Sequence, residues 1–284
     1  MKKFLIMPNG KKDKDYKVTS DVISILLENG ASVYADKSVK DTFKHQLLSY
    51  IDIFDTGISV DCIIVIGGDG SILDAAACAI ERDVPILGIN MGRLGYLSEI
   101  PANSLRKIER LFSGKFNIFE RMTLDVYISN NDTTELKKRK AVNDVVVSHG
   151  KSFGISDFEL NDGMGNSFSY RADGVILSTP TGSTAYSLSA GGPAIDNSLE
   201  AICVTPICTH SFFNRSILFS PNLNISIKHI SENDEVLYVN IDGIDTYPLT
   251  YADKVTVTKS ARPLRLISLE NTGILGVLHE KMDI

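Results

Sequence analysis

The chain has 284 residues, of which 43% are hydrophobic and 23% are charged, and its formal net charge is −6. This length allows two domains whose cores need no disulfide or structural metal in order to fold. The acidic balance provides no general attraction for phosphate. It therefore disfavours nucleic acid as a partner, and any anionic ligand must be bound in a local pocket.

Targeting signals and metal-binding patterns are both missing from the sequence. The opening residues, MKKFLIMPNG, hold too few apolar residues for a signal sequence, and no run approaches the ~20 apolar residues of a membrane helix. The four cysteines form no CxxC pair and the five histidines have no ligand spacing, which indicates structural thiols rather than disulfides or a zinc site. We therefore expect a cytoplasmic protein without a membrane partner.

The first third of the chain alternates between short apolar strands and helical patterns, as in a parallel α/β sheet. The predicted strands span residues 4–7, 32–34, 62–66 and 85–89. The predicted helices begin near Ser20 or Asp21 and end at Gly30, span residues 71–80, and span residues 103–112 before Gly114. The run CIIVI at residues 62–66 shows no alternation, which is typical of a strand covered on both faces.

After about residue 115 the pattern changes to short strands at close spacing, which predicts a sandwich or a distorted barrel. These predicted strands span residues 124–128, 145–147, 157–160, 167–170, 175–178, 223–227, 236–241 and 255–258. Turn signals occur at residues 130–132 and, as a strong hairpin signal, at Asn161-Asp162-Gly163. Residues 265–282 read as a strand followed by a short helical stretch.

A glycine-rich loop, VIGGDGSI at residues 65–72, joins a buried strand to a helix. Ligands bind at the carboxyl ends of parallel strands, and glycines with a helix amino terminus suit phosphate, so we expect Gly67, Gly68, Gly70 and Ser71 to bind phosphate groups. A carboxylate repels phosphate, so Asp69 suits the acceptance of a proton from an attacking hydroxyl. A tight turn with Asp69 as a helix cap is the alternative. The spacing matches neither the Rossmann nor the P-loop pattern, which disfavours a dinucleotide dehydrogenase.

A second motif, STPTGSTAYSLSAGGP at residues 178–193, contains seven Ser or Thr hydroxyls and three glycines directly after an apolar run. Such a segment offers neutral donors and acceptors to a polar ligand, and Tyr186 can stack on a base. These features favour a binding segment over an ordinary loop.

The order of motifs resembles the bacterial NAD kinase family over residues 1–280: GGDG, an Asn-acid pair, Arg-x-Asp-Gly, and then the long hydroxyl-rich motif. GGDG alone is shared with phosphofructokinase and diacylglycerol kinase relatives, so the long motif is the specific one. The resemblance implies an α/β amino-terminal domain at residues 1–115, an all-β carboxyl-terminal domain at residues 116–264 for NAD binding and oligomerisation, and a closing segment at 265–284 that rejoins the first domain.

The resemblance also implies the activity: transfer of the γ-phosphoryl group of ATP to the 2′-hydroxyl of the adenosine ribose of NAD, with Mg²⁺ or another divalent cation. It implies that Asp69 is the proton acceptor and, with Gly70, contacts NAD. Asn143 and Asp144 match an Asn-Glu pair that holds the adenine and ribose, although Asp144 is one methylene shorter than the usual Glu. The metal ligands are not implied.

Further NAD contacts follow from the same resemblance. They are Arg171, Asp173, Thr184, Ala185, Tyr186, Ser187, Leu188 and Ser189. Gly154, Cys208 and Asp242 align with additional pocket positions, and Gly154 lacks the side chain that some relatives use there. In the family, the aspartate at Asp173 approaches a ligand bound mainly by a neighbouring subunit, so we expect a homo-oligomer, with a tetramer as the expected state.

Several alternatives stay open at the level of sequence. Polyphosphate could replace ATP as the donor, and NADH could replace NAD as the acceptor. A lipid kinase of the diacylglycerol kinase type is disfavoured by the long motif, and a non-catalytic NAD sensor is disfavoured by the retained Asp69. The loop at residues 92–97, GRLGYL, follows another strand. Two interpretations stay open: the loop contacts the donor nucleotide, or Arg93 pairs with a carboxylate at the domain junction.

Overall fold

The computed structural model describes residues 1–92, 95–129, 137–150, 154–211, 213–231, 236–251 and 253–269. The chain divides into two compact units. The first comprises Met1–Glu120 and the described residues from Leu264 onward, and the second comprises Arg121–Pro263. Arg93, the turn signal at residues 130–132 and the helical part of the closing segment lie outside the described residues.

The first unit is built on an eight-stranded sheet. Its strands are β1 (Lys3–Pro8), β2 (Ser32–Asp36), β3 (Ser49–Ile51), β4 (Cys62–Gly67), β5 (Ile86–Asn90), β6 (Ile100–Pro101), β7 (Asn117–Arg121) and β20 (Leu264–Ser268). The order is β3-β2-β1-β4-β5-β20-β7, with β6 paired to β5. The strand pairs β2-β3, β1-β2, β1-β4, β4-β5, β5-β6 and β5-β20 are parallel, as the alternating pattern predicted.

Three α-helices accompany this sheet among the described residues: α1 (Lys17–Glu28), α2 (Asp69–Arg82) and α3 (Arg110–Ser113). Helix α1 begins earlier than predicted because the cap is the buried carboxylate of Asp13, which accepts the N–H groups of Val18 at 3.0 Å and Thr19 at 2.8 Å. The predicted helix at 103–112 is a 3₁₀ helix, Leu105–Glu109, that continues into α3. The stop at Gly114 is confirmed, with a left-handed φ of 70°.

Strand β4 lies between β1 and β5, and all six of its residues are buried. This burial on both faces confirms the prediction from its unbroken apolar run. The chain turns at the carboxyl ends of these three strands are tied together: the Asn9 N–H donates to Ile66 and the Met91 N–H donates to Gly67. The glycine-rich loop therefore begins at a fixed edge of the sheet.

The second unit contains two six-stranded antiparallel sheets. The first sheet has the order β15-β14-β13-β10-β17-β18, formed by β10 (Asp144–His149), β13 (Gly174–Ser178), β14 (Ile202–Ile207), β15 (Ile217–Phe219), β17 (Leu237–Ile241) and β18 (Asp245–Leu249). The second has the order β12-β11-β16-β19-β8-β9, formed by β8 (Leu124–Ser129), β9 (Lys137–Ala141), β11 (Ser156–Asn161), β12 (Ser167–Ala172), β16 (Ile225–His229) and β19 (Lys254–Lys259). The predicted hairpin at Asn161-Asp162-Gly163 joins β11 to β12.

The two sheets form a sandwich, one of the two predicted alternatives. A single buried cluster contains inward side chains of both, such as Val145 and Val147 from β10 and Val126 and Ile128 from β8. Since side chains alternate along a strand, Asp144, Val146 and Ser148 lie on the other face of β10. This outward face of the first sheet carries the candidate site. Helix α4 (Tyr186–Ser189), preceded by a 3₁₀ turn at Gly182–Thr184, follows β13.

Candidate active site

The carboxylate of Asp69 is held by a segment that follows β5. Its Oδ2 accepts the N–H of Tyr96 at 2.7 Å, and its Oδ1 accepts the N–H of Leu97 at 3.2 Å, with the Ser98 hydroxyl 3.4 Å away. The side chain makes no capping bond to its own helix, whose N-cap is Gly68. The helix-cap alternative is therefore wrong. Asp69 is instead a partly buried carboxylate with a fixed orientation at the start of α2.

Gly95 allows this orientation. A Cβ at Gly95 would stand 1.7 Å from Oδ1 of Asp69, so no other residue leaves room for the carboxylate. The requirement comes from close approach, not from backbone conformation. Sequence reasoning did not find it, although the glycine stands within the GRLGYL loop that was selected for Arg93.

The glycine-rich loop packs against the turn that follows β1. A Cβ at Gly67 would stand 2.3 Å from the Ser71 hydroxyl oxygen. That oxygen accepts a hydrogen bond from the side-chain amide of Asn9 at 2.8 Å, which leaves the Ser71 proton available to a ligand. The predicted phosphate residues Gly67 and Ser71 are thus brought together with Asn9, which sequence reasoning missed.

Lys12 contributes a cation to the same loop. Its ammonium nitrogen stands 2.7 Å from the point where a Cβ on Gly68 would be, and it forms no ion pair within the part of the chain that the structure describes. Gly70, the next glycine, is exposed and has open space around it. The loop therefore combines accessible backbone, a hydroxyl and an unpaired positive charge, which is the chemistry of an anion site.

In the second unit, a pocket of about 400 Å³ opens on the outward face of the first sheet. Its lining residues come from β10, α4 and the turn after β17: Asn143, Asp144, Val146, Ser148, Ala185, Tyr186, Asn240, Asp242 and Gly243. The volume is in the range of small-ligand pockets. Tyr186 leaves 47% of its surface exposed here, so its ring is available for stacking.

Asp144 is a buried ionisable group in the wall of this pocket. It is 6% exposed, and among the described residues its carboxyl group makes no hydrogen bond. Burial raises the pKa of Asp144 to about 7, and the neighbouring charge of Asp242 adds to the rise. The carboxyl group is therefore near the midpoint of its titration at neutral pH, where its protonated form can donate to a ligand and its ionised form can accept.

The backbone that carries Asn143 and Asp144 is held on both sides. The carboxylate of Asp242 accepts the N–H groups of Val142 at 2.7 Å, Asn143 at 2.8 Å and Asp144 at 3.0 Å. Thr179 binds the carbonyls: its hydroxyl donates to Val142 at 2.6 Å and its N–H donates to Asn143 at 2.9 Å. Segment 142–144 is thus fixed by hydrogen bonds from residues distant in the sequence.

Gly182 lets the hydroxyl-rich motif approach this segment. A Cβ at Gly182 would stand 2.0 Å from the carbonyl oxygen of Asn143. The Gly182 N–H in turn donates to the Thr179 hydroxyl at 3.0 Å. The first half of the motif therefore packs against the Asn143 backbone, while Ala185 and Tyr186 follow it to the pocket wall.

The rest of the TAYSLS segment has other surroundings. The Thr184 hydroxyl donates to the Thr181 carbonyl at 3.2 Å, within its own turn. Ser187 is buried, and its hydroxyl lies 3.0 Å from that of Thr205 on β14, so this side chain anchors α4 to the sheet. Leu188 and Ser189 are exposed.

Arg171, Asp173 and Cys208 gather at the far end of β13. The Asp173 N–H donates to the Ile207 carbonyl at 3.0 Å, and Cys208, which follows, is exposed with a φ of 47°. Strand β13 has five residues, so about 13 Å separate this end from the Ser178 end beside Asp144. None of the three lines the pocket, and neither does Gly154, which precedes β11.

Two features are absent from the described residues. These residues contain no group of three or more His, Cys, Asp or Glu side chains that could hold a metal ion by themselves. Within the same residues, no helix has the length and apolar character that a membrane crossing requires.

Comparisons with known proteins cover both units. Residues 4–116 match the ATP-NAD kinase N-terminal domain, and residues 142–269 match the ATP-NAD kinase C-terminal domain. The NAD kinase of Thermoanaerobacter sp. (strain X514) is 37% identical over 287 residues, covering 99% of each chain. This agreement along the whole chain favours the predicted family over the lipid kinase alternative.

Solved structures with the same fold include two enzymes of this kind. Yeast NADH kinase complexed with NADH has a TM-score of 0.87 and 25% identity, over 98% of this chain and 86% of the yeast chain. The NAD kinase of Archaeoglobus fulgidus in complex with ATP has a TM-score of 0.75 and 20% identity, over 99% of both chains. The predicted fold, an α/β unit followed by an all-β unit, is confirmed.

Proposed function

This chain belongs to the NAD kinase family, phosphotransferases that convert NAD to NADP, and we propose that Asp69 is its catalytic proton acceptor. In the proposed step the 2′-oxygen of the adenosine ribose bonds to the γ-phosphorus of ATP, the bond from that phosphorus to the β-γ bridging oxygen breaks, and ADP leaves. Asp69 takes the hydroxyl proton. The observation that carries the proposal is the fixed Asp69 carboxylate, held by Tyr96 and Leu97 beside Gly95.

Orientation is the main contribution expected from Asp69. The transition state of phosphoryl transfer is loose, so positioning of the hydroxyl counts for more than the strength of the base. The Tyr96 and Leu97 N–H groups keep the carboxylate in one place before the substrate arrives. Asp69 and Gly70 also stand among the proposed NAD contacts.

The phosphates of ATP are proposed to bind at the glycine-rich loop. Gly70 exposes backbone next to the buried Gly67 and Gly68. Ser71 has a free hydroxyl proton, and Lys12 adds a charge that is unpaired among the described residues. Polyphosphate presents the same chemistry as the ATP phosphates. An assay with each donor separates the two, and we expect ATP to be used.

A divalent cation fits this site as a partner of the substrate. Mg²⁺ in nucleotide kinases is bound by one or two carboxylates together with substrate phosphates, so a preformed group of three side chains is not needed. When bound, the cation would neutralise charge on the phosphates.

The adenosine half of NAD is proposed to bind in the pocket on the outward face of the first sheet of the second unit. Tyr186 offers a ring for stacking on adenine, and Asn143 and Asp144 offer an amide and an enclosed carboxyl group for polar atoms of the base and ribose. Ala185 lines the same wall. The yeast relative at 25% identity was solved with NADH, which supports a dinucleotide as ligand.

The other NAD contacts are proposed because the family resemblance implies them. Ser187 would act by anchoring α4, and Thr184, Leu188 and Ser189 would contact the dinucleotide beside it. Arg171, Asp173 and Cys208 form a separate group about 13 Å from Asp144 along β13. This separation fits a role of Asp173 in the site of a neighbouring copy of the chain, in a homo-oligomer in the cytoplasm.

A shared site can be tested by complementation. Chains with Asp69→Asn and chains with Asp173→Ala, each inactive alone, should regain partial activity when they are co-expressed, because some composite sites would carry both native residues. Light scattering gives the mass in solution. A fully active monomer contradicts the shared site, and oligomers without recovery place Asp173 in its own chain's site.

The decisive assay for the chemistry uses purified protein with NAD, ATP and Mg²⁺, read out as NADP. Asp69→Asn should lower the rate by about a hundredfold to ten-thousandfold while NAD still binds, because the amide keeps the shape and loses the proton acceptor. More than about half of the original rate in this variant would remove Asp69 from the catalytic role.

A further inference from the structure

Asp242 lines the pocket, but its carboxylate is bound to the backbone of a neighbouring loop. Both carboxylate oxygens are bound to backbone N–H groups, Oδ2 to Val142 and Oδ1 to Asn143 and Asp144. Its own N–H also donates to the Asp144 carbonyl at 3.0 Å. The backbone of segment 142–144 therefore occupies three of the roughly four acceptor sites of this carboxylate.

The backbone of Asp242 supports this arrangement. Its φ is 53°, in the left-handed region where Asp and Asn are among the few tolerated residues other than glycine. The residue lies in the turn between β17 and β18, about 100 positions from the segment that it binds. The side chain therefore connects two loops that meet at the pocket and are not otherwise adjacent in the sequence.

We propose that Asp242 is a positioning residue of the NAD site: it fixes the backbone of segment 142–144, so that Asn143 and Asp144 face the pocket before NAD binds. The inference rests on the proposed function of Asn143 and Asp144 as NAD ligands. It replaces the direct ligand contact implied by the family resemblance for Asp242.

The same geometry couples the charges of the two carboxyl groups. Asp242 holds its negative charge near the buried carboxyl of Asp144, and this charge contributes to the raised pKa of Asp144. The other polar side chains that line the pocket are those of Asn143, Ser148, Tyr186 and Asn240, all of them uncharged. Burial raises the pKa of Asp242, and the negative charge of Asp245 adds to this rise. Removal of the Asp242 charge should therefore lower the pKa of Asp144.

Asp242→Asn is the informative variant. Asn tolerates the left-handed backbone, but its amide nitrogen is a donor and cannot accept an N–H, so at least one of the three bonds is lost. Asp242→Gly removes all three and also fits the backbone. Asp245→Asn is the matched control: it removes a negative charge next to the same turn, and among the described residues the ion pair that it breaks is a half-exposed one with Arg139.

Three readouts separate positioning from a general loss of structure. In Asp242→Asn, the KM for NAD should rise about tenfold or more, as expected for lost hydrogen bonds to a charged group, while the KM for ATP changes little. The pH at which kcat/KM for NAD changes should move lower. Hydrogen exchange of the ligand-free enzyme should lose protection at segment 142–144 and keep it in β10 and β17. Asp245→Asn should leave all three unchanged.

The outcomes distinguish this inference from the proposed function. If Asn143→Ala and Asp144→Asn raise the KM for NAD but Asp242→Asn and Asp242→Gly do not, Asp242 has no positioning role. A raised KM with unchanged exchange at 142–144 and an unchanged pH profile indicates a direct contact, and also overturns the inference. If Asn143→Ala and Asp144→Asn leave the KM for NAD unchanged, the proposed NAD site itself is wrong.

Discussion

A Cβ added to Gly95 would stand 1.7 Å from Oδ1 of Asp69, so the glycine and the carboxylate occupy adjoining space that admits no further atom. The next residues, Tyr96 and Leu97, donate the N–H bonds that orient this carboxylate. A single loop thus supplies both the room for Asp69 and its orientation.

Gly95→Ala should lower kcat more than it changes the KM for NAD. The added methyl group displaces the Asp69 carboxylate, and a misplacement of about 1 Å at a reacting group can cost about a hundredfold in rate. Steady-state kinetics with NAD varied at saturating ATP would measure the effect. The matched control is Gly92→Ala in the same loop, since a Cβ there meets no atom of the described residues within 4 Å. Equal rates for the two variants would show that the close approach has no bearing on catalysis.

Lys12→Ala should raise the KM for ATP by about tenfold and leave the KM for NAD nearly unchanged. The ammonium beside Gly68 is unpaired among the described residues, so its loss removes attraction for the donor's phosphates. Lys11→Ala, at the neighbouring exposed position, is the control. Lys12→Arg should keep much of the affinity because the charge remains. A similar rise in both Michaelis constants would argue that the turn after β1 had been distorted instead.

Tyr186→Ala should raise the KM for NAD by about tenfold, in line with the stacking energy of one base on an aromatic ring. The ring is half exposed at the pocket, and its hydroxyl makes no hydrogen bond within the described part of the chain. Tyr186→Phe should therefore be mild. If the Phe variant is impaired as severely as the Ala variant, the hydroxyl group, and not the ring, is what binds NAD.

The sequence was sufficient to predict the local features of the site. The glycine-rich loop lies between a buried strand and α2, and the hydroxyl-rich motif follows β13, because strand burial, glycine and helix signals are short-range patterns. The short strands of the second unit could also be predicted, because inward and outward residues alternate along each strand.

The contacts that orient the site were not predictable in this way. Asp69 is held by residues 27 to 29 positions away, and Asp242 binds a segment 98 to 100 positions away. Such pairings depend on how the strands are arranged, and no periodicity records them. The cap of α1 was missed for a related reason: a 3₁₀ turn at Lys14–Tyr16 separates Asp13 from the helix that it caps.

Asp144→Asn should stabilise the protein at neutral pH while it weakens NAD binding. Burial raises the pKa of Asp144 to about 7 in the folded chain, from the ordinary aspartate value of 3.8. Between these values the folded chain keeps a proton that the unfolded chain has released, so the free energy of unfolding falls as pH rises, by up to about 1.4 kcal/mol per pH unit. The stability is fully present below pH 3.8 and is lost as pH rises through about 7. The amide has no charge to bury, so the variant avoids this loss.

Thermal unfolding at pH 5 and pH 7.5 should therefore show a gain for Asp144→Asn that is larger at the higher pH, while Asp41→Asn, at an exposed position, should show no such difference. A gain of the same size at both pH values would mean that Asp144 is not a buried carboxyl with a raised pKa.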